Sequence, residues 1–124
     1  MRTCMIVDDS PVIRKVAKRI LVDLGYAIIE AEYGADALAK CRNGMPDVIL
    51  LDHIMPDMTA VQFIETIKSR ATNKMPAILL NICELNVVRI MKAKRAGATG
   101  YVLKPFTRAT LSDSFHSQIV QLAA

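Results

Sequence analysis

The chain has no tryptophan, and its three tyrosines and three phenylalanines make aromatics only 5% of 124 residues. Sixteen basic residues face 12 acidic ones, a net charge of +4, but there is no Arg/Lys run and no RNA-binding motif, so direct nucleic-acid binding is not expected. Cysteine is scarce too. Cys4, Cys41 and Cys83 are odd in number and lack CxxC spacing, which argues against a disulfide framework or a zinc site and for buried, reduced thiols. No apolar stretch reaches the roughly 18 residues of a membrane span. The start, MRTCMIVDDS, meets acids before a signal-peptide core could form, so the expectation is a cytoplasmic protein without membrane contact. Low-complexity linkers and internal repeats are absent as well. What remains, 52% hydrophobic, has the length of one domain over residues 1–124.

Strand-length apolar runs alternate with helical patterns along that domain. Thr3 to Val7 read as a first strand. Ser10 can cap a helix with Pro11 in its first turn, and Ile13, Val16, Ile20 and Leu24 recur at helical spacing until Gly25. Tyr26 to Ala31 form a second strand, about Gly34 to Cys41 a short helix before the turn Asn43-Gly44, and Asp47 to Leu51 a third, continuously apolar strand. Val61, Ile64 and Ile67 mark a third helix. Pro76 opens the strand AILL, a fourth helix runs from about Leu85 to Ala96, and Thr99 to Leu103 supply the last strand. Thr107 begins a final helix with Leu111, Phe115, Ile119 and Leu122 as its stripe. Five such units predict an α/β fold, a doubly wound five-stranded parallel sheet.

Three carboxylates and one lysine fall at strand ends: Asp8 and Asp9 after MIV, Asp52 after DVILL, and Lys104 after GYVL. An acid that ends a parallel strand lies at the carboxyl edge, where open α/β sheets collect ligands. Converging carboxylates repel, so either one takes a proton or a cation joins them. Oxygen-only ligands suit Mg²⁺. The set therefore predicts a cation and phosphate site.

The segments IVDDS (6–10), ILLDHIMPDM (49–58), GATGY (97–101) and KPF (104–106) resemble the receiver domain of two-component response regulators, in order and spacing and over the whole chain. With nothing after the last helix to act as an output domain, the likeness is to stand-alone, chemotaxis-type receivers. The resemblance implies a flavodoxin-like (βα)5 fold with strand order 2-1-3-4-5. It also implies Asp52 as phosphoacceptor, Asp9 as a direct Mg²⁺ ligand, Asp8 as a ligand mainly through water, and the backbone carbonyl of Ile54 completing the metal shell. Lys104 would pair with phosphoryl oxygens, its bond to Pro105 would be cis, and Tyr101 would be the aromatic that moves between exposed and buried positions. The partners implied are a sensor histidine kinase or histidine phosphotransfer protein and an unidentified downstream protein. Contact with the latter would run through the fourth helix, fifth strand and fifth helix, where Arg89, Lys92, Lys94, Arg95 and Arg108 are candidates. No reaction beyond self-phosphorylation and its reversal by hydrolysis is implied.

The sequence departs from that pattern in places. Receivers carry Thr or Ser at the end of the fourth strand, whereas PAILLNICE (76–84) holds no hydroxyl. Counting from Pro76 points to Asn81 as its replacement, and counting back from Lys104 points to Ile82. Ile82 is the favoured reading, because Cys83 and Glu84 then fit the next two positions, and only one of two adjacent strand residues can face the site. Ala60 stands where Gly is common, which suggests a different start to the third helix. His53, beside Asp52, reads as a packed or hydrogen-bonded side chain, His116 as surface, and Cys83 as a small replacement for Ala.

The leading expectation is a phosphorylation switch. The missing hydroxyl keeps a second one open, a degenerate receiver that binds partners regardless of phosphorylation. A Mg²⁺-dependent phosphatase of small molecules would need a second Asp where Ile54 stands, and is disfavoured.

Overall fold

The computed structural model describes residues 2–120. Five parallel strands, β1 (Thr3–Val7), β2 (Ala27–Ala31), β3 (Val48–Asp52), β4 (Ala77–Ile82) and β5 (Gly100–Leu103), form one sheet in the order β2-β1-β3-β4-β5. They alternate with α1 (Pro11–Asp23), α2 (Gly34–Lys40), α3 (Ala60–Arg70), α4 (Val87–Ala96) and α5 (Arg108–Phe115). Alternate strand residues face opposite sides, and the core is split accordingly. Cys4, Ile6, Val48, Leu50, Leu79 and Val102 pack under α1 and α5, while Met5, Val7, Ile49, Leu51, Ile78, Leu80 and Ile82 pack under α2, α3 and α4. This is the doubly wound, flavodoxin-like arrangement.

Local chemistry sets the helix ends. Ser10 accepts from the Ile13 N–H and Pro11 sits at the first position of α1. Thr59 and Gln62 form a capping box on α3, which starts at Ala60, and among the described residues no non-glycine residue has a positive φ, so that helix has no need of Gly there. Asn86 accepts from the Arg89 N–H, which begins α4 at Val87 and leaves Leu85 exposed in the preceding loop. Gly97 ends α4 at φ 133°, a conformation costly for side-chain-bearing residues.

Several boundaries and faces differ from the sequence reading. Tyr26 precedes β2: its N–H turns back to the Leu21 carbonyl at 3.1 Å, and its ring packs edge-on against Phe115, centroids 5.4 Å apart. In α1 the buried stripe is Ala17, Ile20 and Leu21, with Val16 and Leu24 exposed. Leu111, Phe115 and Ile119 are buried as expected, although α5 passes into a π-helical turn, His116–Val120; Leu122 lies outside the described residues. Cys4 and Cys41 are buried, with burial raising both thiol pKa values, but Cys83 is exposed in the loop after β4. Among the described residues no helix is long and apolar enough to cross a membrane.

Candidate functional site

Strand phase assembles the site. Asp8 lies two residues beyond Ile6, Asp52 two beyond Leu50, Asn81 two beyond Leu79 and Lys104 two beyond Val102, so all four continue the sheet face that packs under α1 and α5. Asp8 stays tied to β2 by its N–H to the Ala31 carbonyl at 3.1 Å, and Lys104 to β4 by its N–H to the Ile82 carbonyl at 2.7 Å. The Lys104–Pro105 peptide is cis.

At the carboxyl edge, Lys104 Nζ donates to Asp8 Oδ2 at 3.0 Å and to Asp52 Oδ1 at 3.1 Å. Asp8 is 2% and Asp52 4% exposed, whereas Asp9 stands open to solvent. One oxygen from each of Asp8, Asp9 and Asp52 lies within 4.8 Å of the others, a spacing that a single hard cation can span. The Ser10 N–H holds Asp8 Oδ1 at 2.9 Å, and the Ile54 N–H approaches Asp52 Oδ1 at 3.4 Å. Burial, then the charge of Asp8, raises the Asp52 pKa against the pull of Lys104. For Lys104, burial works to lower the pKa, but hydrogen bonds and charges from Asp8 and Asp52 outweigh it, and the ammonium is held more firmly than usual. Three oxygen donors carrying more negative charge than one lysine neutralises fit Mg²⁺ on donor chemistry alone.

Asn81 pairs with Asp52 in the β3/β4 register and is 1% exposed. Its Oδ1 is buried without a hydrogen-bond partner. Ile82 is equally buried but on the opposite face, in the cluster with Phe63, Ile64 and Ile90. The preference for Ile82 as the residue facing Asp52 is thus reversed. Strand phase is fixed where β4 begins, at the Val48–Ala77 pair, so the count from Pro76 carries through and the count from Lys104 is thrown off by the loop 83–86.

His53 is held, as its sequence context suggested: its Nδ1 donates to the Asn81 carbonyl at 3.0 Å, which its own N–H also meets at 3.1 Å. His116 is exposed. Ile54 is 62% exposed and its backbone bridges to Thr59. Tyr101 is half-buried against the cluster under α2, α3 and α4.

The basic candidates are not brought to one face. Arg89 and Lys92 line a groove with His53, Ile54 and Met58, and Lys92 and Arg95 line another with Glu65 and Lys68 of α3. Arg108 Nη2 pairs at 2.7 Å with Asp23 of α1. Lys94 lines neither groove, and helical spacing puts it with Val87 and Met91 on the other flank of α4. Two residues of this edge escaped the sequence reading. Arg14 donates through Nη1 to the Asp8 carbonyl at 2.6 Å and through Nε to Glu30 at 3.2 Å. Asp57 accepts from the Gly34 and Ala35 N–H groups at 3.1 and 2.7 Å, tying the loop after β3 to α2. Glu30 lies 16 positions from Arg14, and Gly34 and Ala35 lie 23 and 22 from Asp57, separations that no local pattern announces.

Comparison with known proteins shows what the chain is similar to. The profile of the family described as "Response regulator receiver domain" matches residues 4–116. Chemotaxis protein CheY-3 of Vibrio cholerae is 34% identical over 110 residues, which span 88% of this chain and 85% of that protein. Chemotaxis protein CheY of Pseudomonas aeruginosa is 34% identical over 110 residues, 88% of this chain and 89% of its own. The structure of the chemotaxis response regulator CheY4 of Vibrio cholerae superposes with a TM-score of 0.89 at 34% identity, covering 96% of this chain and 99% of that one.

Proposed function

Because the chain belongs to the response regulator receiver domain family, we propose that it is a Mg²⁺-dependent phosphorylation switch with Asp52 as acceptor. The observation that carries this reading is the shared ammonium of Lys104 between Asp8 and Asp52, with Asp9 at the mouth. An Asp52 carboxylate oxygen attacks phosphorus in a phosphohistidine of a kinase or phosphotransfer protein. The new P–O bond forms as the P–N bond breaks, and the imidazole leaves with a proton. Mg²⁺ held by Asp8, Asp9, Asp52 and the Ile54 carbonyl would supply charge neutralisation for the incoming phosphoryl oxygens.

The chain's own residues do the rest. Lys104 is already on Asp52 and passes a hydrogen bond to a phosphoryl oxygen with little movement, so this donor needs little reorganisation at transfer. Asp8, held by Ser10 and Lys104, keeps that ammonium in place. Asn81 takes the position of the missing hydroxyl: its side-chain Oδ1 has no partner in the unphosphorylated site, and turning the amide would present Nδ2 as a donor to the phosphoryl oxygens. Output passes through α4, β5 and α5. On that side Val87, Met91 and Leu103 are exposed, so an apolar contact is favoured over the basic one the sequence suggested. A cytoplasmic setting follows from the kinase that must reach Asp52.

Incubation with acetyl phosphate and Mg²⁺ followed by intact-mass measurement tests the reading. One added phosphoryl group that disappears with chelator and in Asp52→Asn is expected. The orphaned Oδ1 favours a second reading, a constitutive interaction module; partner affinity that is the same before and after phosphorylation would select it.

A further inference from the structure

A trough follows the seam between α3 and α4. Its upper part, about 500 Å³, opens beside His53 and Ile54 and has Arg89 and Lys92 on its α4 wall. Its lower part, about 620 Å³, has Val61 and Ala96 in its lining with Lys68, Lys92 and Arg95. Val61 and Lys92 line both parts, so the two adjoin along the seam.

The sequence of α4 creates this surface. Ile90 and Ala93 are its buried contacts, so Arg89, Lys92 and Arg95 turn together toward α3, and no acid occurs anywhere in the helix. Among the described residues, none of Arg89, Lys92, Lys68 and Arg95 has a carboxylate within 4.0 Å. Glu65 is the single acid in the lining. Like charges three and four residues apart oppose each other on a helix, and among the described residues no ion pair within 4.0 Å offsets them.

We propose that this trough is a docking surface for an acidic amphipathic helix of a partner protein, separate from the α4, β5 and α5 side. Charge complementarity selects the sign of the partner. Its kind follows from the floor: Val61, Ala96 and the adaptable side chains of Met55 and Met58 offer seats for apolar anchors at helical spacing. The lining holds no Phe, Tyr or Trp on which bases could stack, which sets nucleic acid aside. The proposal rests on the chain being a partner-binding receiver, but not on chemistry at Asp52.

The test uses unphosphorylated protein, so its outcome is independent of phosphoryl transfer. The probe is a short fluorescent helical peptide with leucines on one face and glutamates on the other, followed by anisotropy. Lys68, Arg95, Lys15 and Arg19 are all exposed, so charge reversal at any of them buries no charge, and circular dichroism checks that each variant is folded. Lys68→Glu with Arg95→Glu is expected to weaken binding by at least about tenfold, and Lys15→Glu with Arg19→Glu on α1 by less than about twofold, with affinity falling as salt rises. Equal losses in the two variants, no saturable peptide binding, or tighter binding of a single-stranded DNA of equal charge would each overturn it.

Discussion

Asn81 stands directly across from Asp52 in the β3/β4 register, and its Oδ1 is buried with no partner. A hydrogen bond to a charged group contributes about 1.5 to 3 kcal/mol, against about 5.5 kcal/mol needed to take a two-state equilibrium from mostly off to mostly on. On the proposed function, Asn81 would therefore supply a sizeable share of the drive between phosphorylation and Tyr101. Asn81→Ala should still take up phosphate but lose a sizeable part of the phosphorylation-dependent change in the Tyr101 ring resonances, and Asn81→Thr should keep or enlarge it. Ile82→Thr, by contrast, puts a hydroxyl into the apolar cluster under α3 and α4. It should leave the response unaltered and cost about 1 to 3 kcal/mol in urea unfolding.

Lys104 is the one cation between two buried carboxylates. Removing one partner from a buried ion pair costs about 3 to 5 kcal/mol, because the remaining charges stay uncompensated. Lys104→Ala should lose stability of that order in chelator, and Mg²⁺ should return more of it to the variant than it adds to the wild type. Equal gains on adding Mg²⁺ would show that Lys104 and the cation do not share the same carboxylates.

The Asp52 pKa is raised by burial and by Asp8 above its ordinary value of 3.8. The folded chain thus holds that proton more tightly than the unfolded one, and stability falls as pH rises from 3.8 through the raised value. Lys104 does not offset this within the window, since its contribution is present below its ordinary value of 10.5 and is lost only as pH climbs through its raised one. In metal-free buffer, Asp52→Asn should be more stable than wild type near neutral pH, by on the order of 1 kcal/mol, and equal to it below the ordinary carboxylate range. Thermal midpoints at a series of pH values measure the difference; a gain that grows toward acid would have the wrong sign.

At the open edge of the sheet, the Tyr101 N–H donates to Gln118 Oε1 and Gln118 Nε2 donates to the Tyr101 carbonyl, both at 3.0 Å. A Cβ at Gly100 would overlap that Oε1. Gln118→Ala should cost about 1 to 3 kcal/mol for two hydrogen bonds and speed hydrogen exchange at Tyr101. Gly100→Ala should do the same by expelling the amide, so the double variant should lose little more than either single one.

The acids and the lysine were legible because each ends an apolar strand, and a parallel sheet gathers such ends on one edge. Asn81 was not settled, because the choice between it and Ile82 depends on strand phase, which a one-residue change in a neighbouring loop reverses in any count taken across it. The basic residues of α4 were legible as exposed, but their direction depends on the burial of Ile90 and Ala93, which only packing fixes. Gln118 escaped because the π-helical turn shifts the helical phase on which a sequence pattern relies. The Asp57 tie to α2 joins residues more than twenty positions apart, with no periodicity to announce it.

Locating the phosphoryl group tests the central claim most directly. After reaction with acetyl phosphate and Mg²⁺, borohydride reduces an aspartyl phosphate to homoserine, and peptide mass mapping finds the altered residue. A single homoserine at position 52, absent when chelator is present, is the predicted result. Modification at Asp8, Asp9 or a histidine, or none at all in wild-type protein, would contradict the assignment of Asp52 as the acceptor.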